Sequence, residues 1–293
     1  MKILLSGASG FTGRFFTSAA EEAGHLVVAL LTDLRDDKTV TSEIVSIMPD
    51  AVVHLAGVSF VGHKDEVDFY EVNVVGTTNL LNGLASLPVK PRTVLVASSA
   101  NVYGNCEESL ISENQIPIPI NHYAMSKLAM EYMARSYLDK LPILFSRTFN
   151  YTGPGQNSNF LVPKIVKHFS NHEKSIELGN LNVEREFNDV RMVCNAYLKL
   201  LESGIPGEVY NVCSGKAYNL HYVIGLLSRI TGHSIDIQVS SKFIRKNEVQ
   251  RLCGNPKKLQ ACTGALEEYD FQNTLEEMLE FNRKVLPRLN RKI

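Results

Sequence analysis

A chain of 293 residues can bury a large core and can hold one large domain or two smaller ones. Its 30 basic and 31 acidic side chains leave a formal net charge of -1, which excludes a bulk electrostatic footprint for nucleic acid or an anionic membrane, so any anionic ligand must be gripped locally. The five cysteines (Cys106, Cys194, Cys213, Cys253, Cys262) lack metal-ligand spacing and read as reduced thiols of a cytoplasmic protein; no run of about 18 apolar residues spans a membrane, and Met1 to Leu5 is too short for a signal segment.

Lys2 to Ser6 predicts a short apolar strand, followed by the loop Gly7-Ala8-Ser9-Gly10-Phe11-Thr12-Gly13 and a helical run from Arg14 to Ala23. Strand, glycine turn and helix in this order form a dinucleotide cradle. The first glycine permits the tight turn, the second lets backbone approach a pyrophosphate, and the third lets the helix pack closely with its N-terminus facing the anion. His25 to Leu31 is the second strand. An acidic residue at its end would accept from ribose hydroxyls; here Asp33 is displaced, while Arg14 and Arg35 are near enough to meet a 2′-phosphate. This tilts the cofactor towards NADPH, with NADH as the alternative and surface charge as the plain reading of both arginines.

Thr41 to Met48 reads as a helix and Ala51 to Leu55 as the third strand, whose exit through Ala56 and Gly57 lets a cofactor lie against the backbone. Asp65 to Leu87 reads as one long helix containing Asn73 and Gly76; Asn73 is either a buried polar bridge fixing the active-site strand or an exposed helix residue. Val94 to Ser99 is a buried strand ending in two serines. The prolines of Ile116-Pro117-Ile118-Pro119-Ile120 forbid a helix interior and deliver an extended approach to a helix capped by Asn121. Tyr123 and Lys127 stand four apart on that helix and project from one face. A fixed cation beside a phenol favours its ionised form and is expected to bring it towards the working range, with a serine from the preceding strand alongside.

Leu141 to Arg147 is a further strand, and the strand-helix alternation argues for an α/β fold: a Rossmann-type doubly wound parallel sheet. After Asn150 the character changes. A glycine-rich loop (Tyr151 to Asn159), a helix from Phe160 to Phe169, short strands at Ile176 to Leu178 and Glu184 to Phe187, a helix from Val190 to Leu201, a strand at Glu208 to Val212 and helical patterns at Asn219 to Thr231 and Thr274 to Val285 predict a smaller C-terminal substrate-binding lobe. The expected division is 1–150 for the dinucleotide-binding domain, with 186–204 returning to it, and 151–293 mainly for the lobe.

The glycine loop, His54-Leu55-Ala56-Gly57, Ser98 to Gly104 and Tyr123-x-x-x-Lys127, in this order, resemble the extended short-chain dehydrogenase/reductases that act on nucleotide-activated sugars. Arg147-Thr148-Phe149-Asn150, Gly153-Pro154-Gly155-Gln156, Arg185 to Arg191 and Val209 to Gly215 are most similar to the GDP-4-keto-6-deoxy-D-mannose reductases, which make GDP-D-rhamnose. The resemblance implies Ser99 as the serine on the reacting oxygen, Tyr123 as proton donor and Lys127 as the residue that holds the nicotinamide ribose and depresses the tyrosine pKa. It places Asp33 and Leu34 beside the adenine and Leu55, Ala56, Gly57 and Asn73 along the cofactor. It also implies Asn150 and Gln156 in the sugar pocket, Arg185 and Arg251 on the diphosphate, a nucleotide-diphosphate sugar as substrate, and a homodimer paired through the helices at Asp65 to Leu87 and His122 to Asp139. Ala100 and Asn101 stand where similar dehydratases carry an acid, which argues against dehydration; a 4-epimerase stays open, as does a non-catalytic dinucleotide sensor. Asn188, Met192 and Leu266 depart from the reductase pattern.

Overall fold

The computed structural model describes residues 1–63, 65–243 and 248–289. The first half runs β1 (Lys2–Ser6), α1 (Phe11–Glu22), β2 (Leu26–Leu30), α2 (Asp37–Ile47), β3 (Ala51–His54), α3 (Val67–Tyr70), a π-helical stretch (Glu71–Gly76), α4 (Thr77–Ser86), β4 (Val94–Ser99), a 3-10 turn (Ala100–Tyr103), α5 (His122–Arg135) and β5 (Ile143–Thr148). The second half runs β6 (Tyr151–Thr152), α6 (Leu161–Ser170), β7 (Ser175–Leu178), β8 (Glu184–Glu186), β9 (Asn188–Asp189), α7 (Val190–Ser203), β10 (Val209–Val212), β11 (Ala217–Asn219), α8 (Leu220–Thr231), β12 (Asp236–Val239), β13 (Arg251–Leu252), α9 (Lys257–Thr263) and α10 (Phe271–Leu289).

Six parallel strands form the central sheet in the order β10-β5-β4-β3-β1-β2. The inner strands β1, β3, β4 and β5 are buried on both faces, as a parallel sheet covered by helices requires, while β2 forms the more open edge. The two-residue period of the strands sorts the side chains. Ile3, Leu5, Val53, Leu95 and Leu144 face α1 and α7, where Phe16, Ala20, Val193 and Leu200 meet them; Leu4, Val52, Val96 and Phe145 face α2, α4 and α5, against Val40, Ile44, Leu80 and Met130. The strand order reverses between β1 and β3, so the crevice beyond their carboxyl ends is where an open α/β sheet binds ligands.

The lobe has its own core, in which Val162, Ile165 and Phe169 of α6 meet Val223 and Leu227 of α8 and Leu275 and Leu279 of α10. One boundary differs from expectation. Not only α7 but also Val209–Val212, assigned above to the lobe, returns to the main sheet, as β10 beside β5. Its four fully buried residues need two covered faces, and the lobe's two- and three-stranded ribbons do not supply them.

Candidate active site

The glycine loop is built for close approach. Gly7 has φ +74°, and a Cβ there would stand 2.8 Å from the Ala56 nitrogen; one on Gly13 would stand 2.2 Å from the Gly7 carbonyl oxygen. Gly10 is the N-cap of α1 and provides no side-chain cap, so the first-turn N–H groups beyond Ser9, at Phe11, Thr12 and Gly13, suit a pyrophosphate. At the end of β2, the Glu43 carboxylate accepts from the Leu31 and Thr32 nitrogens, both at 3.0 Å. Asp33 is clamped by Arg35, Nε to Oδ1 at 3.0 Å and Nη2 to Oδ2 at 2.6 Å, which holds its carboxyl down at about 2. Arg14 donates to the Ser9 carbonyl at 2.9 Å. Leu34 is buried beneath Gly76, where a Cβ would come within 2.8 Å of it.

Behind Leu55, Ala56 and Gly57 runs a buried chain of hydrogen bonds. The Ala56 N–H donates to Ser6 Oγ at 3.1 Å, Ser6 Oγ lies 2.6 Å from His54 Nδ1, His54 Nε2 lies 2.8 Å from Thr77 Oγ1, and Thr77 Oγ1 donates to the Asn73 carbonyl at 2.6 Å. Because Thr77 spends its proton on Asn73, it must accept from His54 Nε2–H, and Nδ1 then accepts from Ser6. This order needs a neutral imidazole, and burial, with Lys127 nearby, pushes His54 down to about 3. Of the two readings of Asn73, the buried bridge is the one observed. Its side chain accepts from the Val58 nitrogen at 2.9 Å and donates to Ser126 Oγ at 2.9 Å, tying the cofactor crevice to α5 from within a π-helical turn.

The structure brings Ser99, Tyr123 and Lys127 together. Asn121 caps α5, its side chain accepting from the Ala124 nitrogen at 2.9 Å, and sets the register that buries both Tyr123 and Lys127. Ser99 Oγ accepts from the Asn101 backbone N–H at 3.2 Å and from its Nδ2 at 3.1 Å, leaving the serine proton to be directed outwards; Asn101 is thus an orienting residue that the sequence alone did not disclose. The expected lowering of the Tyr123 pKa is not what the geometry gives. Burial pushes the phenol above its usual value, and the hydrogen bond with Ser99 draws it back in part. The Lys127 ammonium donates instead to the Ala97 carbonyl at 2.8 Å and points at Gly57, where a Cβ would lie 3.4 Å from Nζ. Burial lowers Lys127 itself to about 8, against the pull of Glu131.

On the lobe side, Asn150 exposes its side chain while its carbonyl accepts from the Asn188 nitrogen at 3.0 Å. Gln156 is turned into its own loop, accepting from Thr152 Oγ1 at 2.8 Å and donating to the Tyr151 carbonyl at 3.3 Å, rather than into open space. Arg185 donates to the backbone carbonyls of Glu184, Val249 and Gln250, and Arg251 pairs with Glu184; the two arginines stand on adjacent strands, β8 and β13. Two further residues were not singled out in the sequence. Tyr151 bonds Thr12 Oγ1 at 2.7 Å with its ring stacked on Phe11, so it closes the space between the glycine loop and the lobe. Glu248 Oε2 is buried with no hydrogen-bond partner among the described residues, an acceptor that a ligand hydroxyl or N–H would satisfy.

Crevice, glycine cradle and buried ammonium fit a nicotinamide dinucleotide. Among the described residues no cluster of three or more His, Cys, Asp or Glu could hold a metal ion, and no helix is long and apolar enough to cross a membrane. The profile of the family described as GDP-mannose 4,6 dehydratase matches residues 9–278. A GDP-6-deoxy-D-talose 4-dehydrogenase of Aggregatibacter actinomycetemcomitans is 38% identical, over 95% of this chain and 97% of its own. A GDP-6-deoxy-D-mannose reductase of Pseudomonas aeruginosa is 33% identical, over 95% of this chain and 96% of its own. The solved structure of RMD from Pseudomonas aeruginosa complexed with NADPH has 31% identity and a TM-score of 0.88, covering 97% of this chain and 98% of that one. With the profile spanning both the cradle and the lobe, the chain belongs to the GDP-mannose 4,6-dehydratase family of extended short-chain dehydrogenase/reductases.

Proposed function

We propose that this chain is an NAD(P)-dependent 4-ketoreductase that converts GDP-4-keto-6-deoxy-D-mannose to GDP-D-rhamnose. The observation that carries this reading is the Ser99 corner. The hydroxyl, phenol and ammonium of a carbonyl-reducing site are present, while the position after Ala100 holds Asn101, whose amide is spent on Ser99 and offers no carboxylic acid for eliminating a 6-hydroxyl. Bound nicotinamide supplies the hydride. Ser99 Oγ donates to the C4 oxygen and holds it, and Tyr123 Oη transfers its proton to that oxygen as negative charge develops there. The Lys127 ammonium holds the ribose and stabilises the tyrosinate left behind. In the raised state of its pKa the phenol keeps its proton until the substrate oxygen takes it, which suits a proton donor in the reductive direction.

NADPH is the proposed reductant, supported by Arg14 and Arg35 at the adenosine edge and by the NADPH in the Pseudomonas structure. Arg185, Arg251 and Glu248 are proposed to meet the nucleotide, which requires the arginines to exchange their present partners for phosphate oxygens. A homodimer through α3, the π-helical stretch, α4 and α5 is supported by Val67, Val75, Met125 and Tyr132, which are exposed along this surface. The free thiols support work in the cytoplasm.

A second product is favoured by one observation: the relative named for GDP-6-deoxy-D-talose is 38% identical, against 33% for the one named for GDP-6-deoxy-D-mannose. The test is nicotinamide absorbance during incubation with NADPH and GDP-4-keto-6-deoxy-D-mannose, followed by proton NMR of the product. Stoichiometric oxidation establishes ketoreduction. A large coupling between H3 and H4 then identifies the rhamnose product and a small one the talose product. No oxidation with NADPH or NADH overturns the proposal in favour of an epimerase.

A further inference from the structure

The ammonium of Lys127 is buried in the sheet-facing side of α5, and the groups around it are nearly all neutral. Tyr123 and Ser126 accompany it on its own helix; β3 contributes the uncharged His54, the π-helical stretch contributes Asn73, and β4 contributes the Ala97 carbonyl and Ser99. One anion is present. Glu131 is on α5, one turn beyond Lys127, and its side chain is buried at 2% exposure. Its carboxylate is fixed from two strands: Ser98 Oγ of β4 donates to Oε1 at 2.5 Å, and Arg147 of β5 donates through Nε to Oε1 at 3.0 Å and through Nη2 to Oε2 at 2.7 Å. Arg147 is itself held, its guanidinium lying 4.9 Å from the Tyr103 ring centre, and Tyr103 Oη donates to Asn211 Oδ1 at 2.7 Å.

We propose that Glu131 is a positioning residue for catalysis: the fixed counter-charge that keeps Lys127 protonated inside the closed site. Two cations and one anion share this interior. The bidentate pair with Arg147 and the bond from Ser98 fix the Glu131 carboxylate in place, and its field on the neighbouring turn is what an otherwise uncompensated ammonium depends on. Arg147 lies on the adjacent strand β5 and clamps Glu131 from there. The site therefore carries a fourth polar member behind Ser99, Tyr123 and Lys127, one that touches neither substrate nor cofactor.

The rate consequence rests on the ketoreductase reading, whereas the charge itself is measured without substrate. The ζ-nitrogen of Lys127, assigned by its loss in Lys127→Met, is titrated by nitrogen-15 NMR in the wild-type protein and in Glu131→Gln. The expected result is a midpoint lowered by about one to two pH units, from the removal of a unit charge one helical turn away at an effective dielectric of about 20. The basic limb of log kcat against pH for NADPH-dependent ketone reduction moves down with it, and Glu131→Asp restores both. An unmoved Lys127 midpoint in Glu131→Gln overturns the proposal whatever the activity does. A shifted midpoint in a protein that reduces no ketone leaves the proposal standing and rejects the ketoreductase reading. Should Glu131→Gln fail to fold with Arg147 stranded, Glu131→Gln/Arg147→Met removes the pair together. A downward shift is expected there too, smaller because the repulsion from the Arg147 cation goes with the pair, and its absence overturns the proposal.

Discussion

Tyr123 and Asn101 illustrate two unequal ways of serving one oxygen. In the proposed reduction Tyr123 gives up a proton in the transition state, so Tyr123→Phe is expected to lower kcat by about 10²- to 10⁴-fold with the KM for sugar nucleotide little changed. Asn101 only orients. Its backbone N–H remains in Asn101→Ala and still donates to Ser99 Oγ, so that variant loses about 3- to 10-fold, the effect of one neutral hydrogen bond. Steady-state rates for the two variants check this; an Asn101→Ala rate as low as that of Tyr123→Phe would mean that the amide touches the substrate. The reversal at Tyr123 is a matter of magnitudes: four residues of helix bring Lys127 to the same face, yet full burial raises the phenol by more than the Ser99 hydrogen bond lowers it, and the ammonium turns to Ala97.

At the level of elements, a buried carboxylate ties the end of β8 to the turns that follow β10 and β13. Glu186 at the end of β8 accepts from the backbone nitrogens of Ser214 at 2.7 Å, Gly215 at 3.3 Å and Gly254 at 2.6 Å, and from the side chains of Asn188 at 2.9 Å and Ser214 at 3.2 Å. Glu186→Leu orphans all of these donors. It is expected to cost about 3 kcal/mol or more and to lower the thermal midpoint, while cofactor binding at the glycine loop, in the other layer, persists in fluorescence titration. The glycine loop gives the opposite result: Gly13→Val drives a side chain into the Gly7 carbonyl and abolishes that binding with the lobe intact. The strand, turn and helix at the N-terminus, the Asn121 cap and the Tyr123 and Lys127 face were legible because each depends on neighbours a few residues away. Glu186, Glu131 and the short β12, β13 and α9 were not. Glu186 finds Gly254 at a separation of 68 residues and Glu131 finds Ser98 at 33, and no local period announces such partners.

For the whole molecule, the neutral His54 relay makes stability depend on acid. His54 titrates near 3 when folded and near 6.5 when unfolded, so below about pH 6.5 the unfolded chain binds a proton that the native one refuses. This residue therefore removes about 1.4 kcal/mol of stability per pH unit between about 6.5 and 3, and contributes no slope above that window. Urea midpoints of the wild type and of His54→Gln at pH 7 and pH 5 are expected to show a shallower decline in the variant, whatever its stability at pH 7; equal slopes would mean that the native imidazole is protonated.

The sixth strand has a consequence for how the protein is made. The β5 strand, which carries Arg147 and leads to Asn150, has β10 as its outer neighbour, and Val209 of β10 pairs with Phe145, 64 residues earlier in the chain. A nascent chain released from the ribosome only as far as Asn150 has five strands of the sheet and a β5 edge that lacks its β10 partner. The nucleotide-binding half therefore completes its sheet only once Val212 has emerged, and a truncation at Asn150 is expected to be more prone to aggregation than the full chain, as light scattering on refolding would show.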